Sequence, residues 1–234
     1  MKAGNKHSPL SNGPAATGDK VTRRARRSAE IRERLFRAAL DLFARKGFVE
    51  TTVEDITEAA DVGKGTFFNY FPSKDHILLA FSDMQLAKLE QSINGLVTSQ
   101  QPLREFMRSL VLRMTEEPLR NPGMIRALLL GYLSSNPVRE EMINKQNRAH
   151  ALHKQMVEIG QERGEVRKDL SAAEIAHVFR QTILGTLLIW SVTGDASLRD
   201  RIDSALQMIW TGIAPKDAAI NSGVPPSEGR SEAK

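Results

Sequence analysis

The stretch that most constrains the fold of this 234-residue chain runs from Thr51 to Tyr70 and continues into Phe-Pro-Ser-Lys. Thr51 or Thr52 opens a short helix, and each has an acidic residue three positions later, which is the spacing of a capping box. Val53 and Ile56 lie on the apolar side of this helix. With about two turns the helix is too short to be stable alone, so we expect neighbouring helices to hold it.

A tight turn follows over residues 60–63, and a second short helix is predicted over residues 64–70. Asp61 stands where a left-handed backbone is expected, and aspartate tolerates a positive φ better than most residues. Phe67 should face the core, which leaves the other side chains of this helix exposed. Two short helices around such a turn predict a helix-turn-helix motif over residues 51–70, whose second helix suits a DNA major groove. The alternative is a surface helix in a small bundle.

These residues resemble the DNA-binding domain of the TetR family of one-component transcriptional regulators. The matching segments are Thr-Val-Glu-Asp-Ile, the turn, and Lys-Gly-Thr-Phe-Phe-Asn-Tyr-Phe before Ser-Lys, with Ala-Ala-Leu-Asp-Leu-Phe and Lys-Gly-Phe in the preceding helix. The resemblance covers residues 28–80. The chain departs from the family pattern at Asp61, Gly63 and Phe68, where the family usually has Gly, Ser and Tyr. The resemblance implies an all-α fold, with an N-terminal three-helix helix-turn-helix domain and a C-terminal helical ligand-binding and dimerisation domain.

The resemblance and the exposed pattern together predict nine DNA-binding residues. We expect contacts with base edges from Lys64, Thr66, Phe68 and Asn69. The contact of Phe68 is limited to an apolar group such as a thymine methyl. We expect contacts with phosphates from Thr51, Thr52, Tyr70 and Lys74. Gly65 has no side chain and lets the helix backbone approach the DNA closely.

Positive charge is concentrated at the N-terminal end. Residues 1–47 hold 12 Lys and Arg against 4 Asp and Glu, whereas residues 48–76 hold 2 against 6. Residues 1–22 lack periodicity, and we predict a disordered basic arm over residues 1–27, with Arg23, Arg24, Arg26 and Arg27 at its end. Such an arm would follow phosphates or enter a minor groove; the alternative is a solvated tail. Ser28 is expected to cap the first helix.

The domain boundaries predicted from these patterns are 28–76 for the DNA-binding domain, 77–214 for the ligand-binding and dimerisation domain, and 215–234 for a disordered tail. A fourth helix from Pro72 or Ser73 to about Val97 should connect the two domains. The last two helices are apolar over more than one face, which predicts a homodimer. The expected dimer contacts are Ile183, Leu187, Trp190, Leu206 and Trp210; the alternative is that this surface completes the chain's own core.

Methionine and aromatic residues of the C-terminal helices are candidates for a small-molecule pocket. The candidate lining residues are Phe81, Met84, Phe106, Tyr132, His153, Met156 and Phe179. The alternative is that they form ordinary core.

Other chemistry is absent from the sequence. There is no cysteine, which excludes disulfides, thiolate metal sites and cysteine nucleophiles. No nucleophile elbow, Walker motif or carboxylate pair appears, so we expect no catalytic residue, no cofactor and no enzyme. His150 and His153 have a spacing compatible with a metal, but no third ligand is visible and no metal site is expected. No signal peptide is visible, and the longest apolar run, residues 183–190, is too short to cross a bilayer; a cytoplasmic protein without membrane contact is expected.

The sequence therefore predicts a dimeric transcriptional regulator, expected to be a repressor, that binds a palindromic operator in double-stranded DNA. A small apolar or amphipathic effector is expected to release it. The alternatives are a small-molecule carrier or helical enzyme with a basic accessory head, and an architectural DNA binder without a ligand.

Overall fold

The computed structural model describes the backbone of residues 16–116, 122–134, 136–194 and 197–215, with the side chains of these ranges except residues 16–21, 130–134, 136 and 137. All regular structure in these ranges is α-helical, as predicted. In chain order the helices are α1 (Ala16–Arg45), α2 (Val53–Ala59), α3 (Lys64–Phe68), α4 (Asp75–Thr98), α5 (Leu103–Met114), α6 (Pro122–Ser134), α7 (Asn136–Glu162), α8 (Ala172–Thr193) and α9 (Leu198–Ile213).

The N-terminal unit, called the head below, comprises α1 from Ile31 onward, α2, α3 and the first turns of α4, which share one core. This core contains fully buried aromatic side chains from three parts of the chain, at Phe43, Phe67 and Phe71. The Phe67 and Phe71 rings pack against each other with centroids 5.8 Å apart. The short helices α2 and α3 are thereby held by burial, as expected for helices too short to persist alone.

Helix α4 belongs to two cores at once. Its first turns place Ile77, Leu78 and Phe81 in the core of the head. Its later turns place Leu89 and Ile93 in a second core, to which α5, α7, α8 and α9 also contribute. The predicted connection of the two parts of the chain through the fourth helix is therefore confirmed.

Helix α6 makes a second connection between the two parts. Its first residues, Gly123 and Met124, pack on α1, and Met124 and Ala127 join the core of the head. A Cβ atom at Gly123 would lie only 2.4 Å from the carbonyl oxygen of Ala44. Glycine at this position lets the backbones of α6 and α1 approach closely.

The predicted start of the first helix at Ser28 is wrong, because α1 begins at Ala16. Arginine and alanine dominate residues 23–27 and favour helix, and the Arg26–Glu30 ion pair across one turn adds to this preference. The arm predicted to be disordered is therefore helical from residue 16 onward. Residues 1–15 and residues 216–234 of the predicted tail lie outside the described residues.

The other helix ends follow local signals. Asp61 has the predicted left-handed backbone, with a φ of 50°, and Gly47 and Gly194, which follow the ends of α1 and α8, have φ values of 92° and 61°. Helix α3 ends at Phe68, two residues before the predicted end at Tyr70. Gly160 lies inside α7, where a Cβ atom would meet the Leu103 side chain at 2.3 Å.

Candidate nucleic-acid interface

The helix-turn-helix is fixed at its start by a complete capping box. Thr52 is the N-cap of α2, and its hydroxyl accepts a hydrogen bond from the Asp55 backbone N–H at 3.1 Å. In return, the Asp55 carboxylate accepts one from the Thr52 backbone N–H at 2.8 Å. Two of the orphan donors at this helix end are therefore satisfied, and the direction in which α2 enters the motif is set.

The turn and α3 present a compact exposed surface. The Val62 N–H donates to the Thr57 carbonyl at 3.0 Å, which closes the turn. Gly63 is the N-cap of α3, with no side-chain hydrogen bond. Phe67 is fully buried, whereas the adjacent Phe68 is 50% exposed. Phe67 thus anchors α3 in the core, and Phe68 faces outward.

Six of the predicted DNA-binding residues lie together on and beside α3. Four of them are exposed, and Thr66 and Tyr70 are half-buried. These residues are Lys64, Gly65, Thr66, Phe68, Asn69 and Tyr70. The surface combines an amide, hydroxyls, an apolar ring and a cation, which are groups that contact base edges and phosphates.

Ion pairs hold two lysines beside this surface. The Lys64 ammonium donates to the Glu54 carboxylate and lowers the pKa of Glu54. Lys46 donates to Asp55 at 2.7 Å, and this bond, with the Thr52 hydrogen bonds, lowers the pKa of Asp55 to about 2. These pairs are solvent-exposed, so a phosphate can compete for either lysine at small cost.

Thr51 is a correction to the predicted contact set. Its side chain is fully buried, and its hydroxyl donates to the Gly47 carbonyl at 2.6 Å. Only Thr52 of the two threonines is exposed. The sequence placed both at the helix start, but the turn of the chain after Gly47 points Thr51 inward.

Lys74 has a structural role that its sequence position did not indicate. Its ammonium donates to three backbone carbonyls of the loop between α1 and α2, those of Phe48, Val49 and Thr51, at 2.7, 3.0 and 2.9 Å. It also lies 4.7 Å from the centroid of the Phe48 ring. An ammonium has three donors, so all of them are used within the head. Lys74 therefore clasps the start of α4 to the loop that precedes α2, and a phosphate contact has to compete with these bonds.

Comparison with known proteins identifies this motif. Residues 35–81 match the family described as bacterial regulatory proteins, tetR family. The match covers α2, the turn, α3 and the parts of α1 and α4 that form their core. The head is therefore a TetR-type domain.

Similarity to known repressors extends over most of the chain. It is 27% identical over 204 residues to the HTH-type transcriptional repressor AcnR of Corynebacterium glutamicum, covering 86% of this chain and 98% of that protein. It is 25% identical over 199 residues to the repressor DhaR of Mycobacterium sp. strain GP1, covering 82% and 96%. Among solved structures, Thermus thermophilus FadR, a TetR-family transcriptional repressor in complex with lauroyl-CoA, aligns with a TM-score of 0.59 and 27% identity over 85% of this chain and 100% of that one.

In the C-terminal domain, the residues predicted for dimerisation face the chain's own core. All five are partly buried against the second core: Ile183, Leu187, Trp190, Leu206 and Trp210. The exposed apolar side chains of α8 and α9 are different ones: Val178, Leu184, Ile189, Val192 and Met208. The sequence indicated two apolar faces on these helices but not which of them the chain covers itself.

Helix α8 is unusual among the described helices because it is long and apolar enough to cross a membrane by those two criteria alone. Only 22% of that stretch is buried within the chain. Core helices of soluble proteins satisfy the same criteria, and α8 also carries Glu174, His177 and Arg180 in its first half. Helix α8 is therefore a long helix with an apolar side that the chain itself leaves uncovered.

The predicted pocket residues do not form one group. Phe106, Met156 and Phe179 lie in the second core, and the His153 ring packs on Phe179 with centroids 5.5 Å apart. Phe81, by contrast, is buried in the core of the head, and Met84 packs against that same core, so these two are corrections to the set. The Tyr132 side chain lies outside the described residues.

A polar cluster between α7 and α8 was not predicted as a unit. The Arg180 guanidinium donates to the Gln146 side chain at 2.6 Å, while its Nε is buried without a partner in the described structure. The Nδ1 atoms of His150 and His153 are likewise buried without partners. Burial lowers the pKa of His153 to about 4 and also lowers the pKa of His150. Within the described ranges, no group of three or more His, Asp or Glu side chains is arranged to hold a metal.

Proposed function

We propose that this chain is a cytoplasmic, ligand-responsive transcriptional repressor that binds a palindromic operator as a homodimer and has no enzymatic role. The observation that carries the proposal is the exposed surface of α3, held on a helix-turn-helix of TetR type whose first helix has a complete capping box. The repressors AcnR and DhaR, similar over most of the chain, support it.

In the proposed complex, α3 enters the major groove. Asn69 and Thr66 hydrogen-bond base edges, and the exposed Phe68 ring contacts an apolar group such as a thymine methyl. Lys64 also faces the base edges, whereas Thr52 and Tyr70 bind phosphates and set the register. Lys74 positions the loop before α2 from within the head.

The DNA test uses fluorescence anisotropy on the duplex that the protein protects in footprinting of DNA flanking its own coding region. Asn69→Ala should relax sequence preference and lower affinity by about 1–3 kcal/mol, the value of one good base contact. Lys74→Gln should lower both affinity and melting temperature without changing the salt slope, because it removes internal hydrogen bonds. Lys168→Gln, in the exposed segment between α7 and α8, is the control. A protein that protects no DNA sequence would contradict the proposal.

For the dimer, we infer that the uncovered side of α8 packs on a second copy. Val178, Gly185 and Val192 repeat every seven residues on this side, with Ile189 between them. Beside them an open cleft of ≈ 550 Å³ lies between α8 and α9, lined by Gly185, Thr186, Ile189, Asp200, Arg201 and Ser204. A two-fold dimer buries the same patch on both copies and brings two heads to grooves about 34–36 Å apart.

The dimer test is Ile189→Asp combined with Val192→Asp, measured by analytical ultracentrifugation and operator binding. Two charges on the apolar side should yield monomers, with operator binding weakened by about a hundredfold to ten-thousandfold, since a lone head loses the gain from two linked binding sites. The control is Val97→Asp on α4, which is 55% exposed but lies away from this side. A wild-type protein that stays monomeric at micromolar concentration, or that partitions into lipid vesicles through α8, would contradict the proposed dimer.

For the effector, we infer an amphiphile with an anionic group. The Arg180 Nε–H and the Nδ1 atoms of His150 and His153 are buried without hydrogen-bond partners, and each such buried group costs about 1–3 kcal/mol. A carboxylate or phosphate would accept from Arg180 and from an imidazole that carries its proton on Nδ1. An apolar tail would enter beside Phe179 and Met156, which are tightly packed, so α7 and α8 must move apart to admit it. The lauroyl-CoA bound by Thermus thermophilus FadR has this combination of groups.

The packing offers a route from such a site to the DNA. Helix α7 is tied to α4 by the Lys145–Asp83 and Arg148–Glu90 ion pairs. Helix α4 in turn inserts Ile77 into the core of the head. A displacement of α7 would therefore tilt α4 and change the separation of the two heads. The effector must bind the released state more tightly for this to occur.

The effector test compares lauroyl-CoA, laurate and dodecanol for operator release and for the shift in melting temperature. The anionic compounds should release DNA, and Arg180→Gln should weaken them at least tenfold without changing dodecanol binding. Arg199→Gln, an exposed arginine at the start of α9, is the control. An anionic effector would be contradicted if all three compounds released DNA equally well, or if none of them released it.

A further inference from the structure

The first four turns of α1 project beyond the head. Residues 16–30, called the α1 extension below, precede Ile31, the first α1 residue that packs against the core of the head. Residues 22–30 are exposed apart from the half-buried Ser28. The family match begins only at Leu35, so the extension lies outside the part of the chain that the TetR domain explains.

The α1 extension is strongly basic and has no apolar side to bury. Residues 16–30 hold five Lys and Arg, four of them at Arg23, Arg24, Arg26 and Arg27, against two acidic residues, Asp19 and Glu30. Glu30 pairs with Arg26 at 3.2 Å, but the side chains are 61% and 82% exposed, so the pair neutralises little. A helix that is polar on all sides gains nothing from packing on its own chain. Its charge suits an anionic partner.

The point at which the extension leaves the head lies beside α3. The Arg32 guanidinium stacks 5.2 Å from the centroid of the Phe71 ring, and the Phe71 N–H bonds to the Phe67 carbonyl at the end of α3. Arg27 and Arg23 lie about 8–14 Å further along the helix axis, at a rise of about 1.5 Å per residue. The extension therefore starts beside α3 and projects beyond the head, a position from which its arginines can reach phosphates next to a groove that α3 occupies.

We propose that the α1 extension is a second DNA-binding element, which contacts the phosphate backbone just outside the half-site bound by α3. The contact is electrostatic rather than sequence-reading. An α-helix with side chains is about 10–12 Å wide, whereas the minor groove is about 6 Å wide, so the extension lies over the backbone and does not enter the minor groove. This inference rests on the proposed operator binding by the head.

The test replaces Arg23, Arg24, Arg26 and Arg27 together by Gln in the full-length protein. Glutamine favours helix nearly as well as arginine, so circular dichroism should be unchanged. The control variant carries the same charge change on the C-terminal part of the chain, with Lys88, Arg139, Lys168 and Arg199 replaced by Gln. Affinity is measured by anisotropy, as a function of salt, on two duplexes: the footprinted operator trimmed to its protected half-sites, and the same operator with about ten extra base pairs on each side, roughly one helical turn.

On the longer duplex, the arginine variant should bind at least about tenfold more weakly at low salt, and its salt slope should fall by up to about 0.9 for each lost phosphate contact. On the trimmed duplex it should match the wild type, and the control variant should match the wild type on both. Equal affinity and slope for the arginine variant on the longer duplex would overturn the inference, as would an equal loss on the two duplexes. If the wild type binds neither duplex, the proposed operator binding itself fails, which is a different result.

Discussion

The head and the C-terminal domain are both helical, but they complete their folds in different ways. In the head, a capping box, a left-handed Asp61 and the Lys74 clasp fix short helices, and Phe67 and Phe71 anchor α3 in a filled core. In the C-terminal domain, long helices leave the apolar side of α8 uncovered, and buried nitrogen atoms of Arg180 and His150 lack hydrogen-bond partners.

This difference matches the two tasks proposed for the molecule. A surface that contacts DNA benefits from rigid preorganisation, because groups already in place lose little entropy on binding. A sensor needs more than one arrangement, and a domain whose polar and apolar groups are completed by a partner or an effector can provide them. Helices α4 and α6 connect the rigid unit to the responsive one.

The largest expected effect of a substitution is in the core of the head. Phe67→Ala should destabilise the head by about 3–5 kcal/mol, because it leaves a cavity at a fully buried position. DNA binding should be lost while the C-terminal domain stays folded, giving two separate transitions in calorimetry. The neighbouring Phe68→Ala is the control, since Phe68 is half-exposed: its stability should change by less than about 0.5 kcal/mol, while operator affinity falls. A single transition for Phe67→Ala would mean that the two units are one.

The incomplete polar cluster predicts a pH dependence located in the C-terminal domain. The pKa of His153 is lowered to about 4 by burial, so the unfolded state binds more protons between about pH 6.5 and 4. Stability should therefore fall as pH falls through this window, by on the order of 2–3 kcal/mol. His150 acts in the same direction, while the positive charges of Arg180 and Lys154 oppose protonation.

Urea unfolding at pH 7, 5.5 and 4.5 measures this effect. His153→Leu should remove most of the pH dependence of the C-terminal transition, whereas His177→Gln, at an exposed position of α8, should leave it in place. If the loss of stability persists in His153→Leu, the buried cluster is not its source.

The smallest expected effect concerns the connection between the two units. Gly123→Ala should cost about 1–3 kcal/mol by overpacking, because its Cβ would press on the backbone of Ala44. It should also weaken operator release by the effector, since α6 would no longer dock on α1. Gly95→Ala, at an exposed site in α4 with open space around it, should instead raise stability by about 0.5–1 kcal/mol. Melting temperatures of the two variants, with opposite signs expected, test whether the α6–α1 contact is as tight as the structure indicates.

Much of the fold was predictable because its signals are local. The bounds of α8 and α9, the Thr52 cap and the left-handed Asp61 follow from residues within a few positions of one another. The start of α1 was missed because a run of arginines was interpreted as a disordered arm, although arginine favours helix. The nine predicted DNA-binding residues include two, Thr51 and Lys74, whose side chains the tertiary structure engages internally.

By itself, the sequence determined the helices, their caps and the helix-turn-helix, because periodicity and capping act over a few residues. Only the tertiary structure decided three further points. Lys74 bonds to carbonyls more than twenty positions away, Phe81 joins the head rather than a pocket, and α8 turns Ile183 inward and Ile189 outward. Each of these three contacts joins residues that are distant in the sequence. Which of two apolar faces is buried depends on how all the helices pack together, and a local sequence pattern does not specify it.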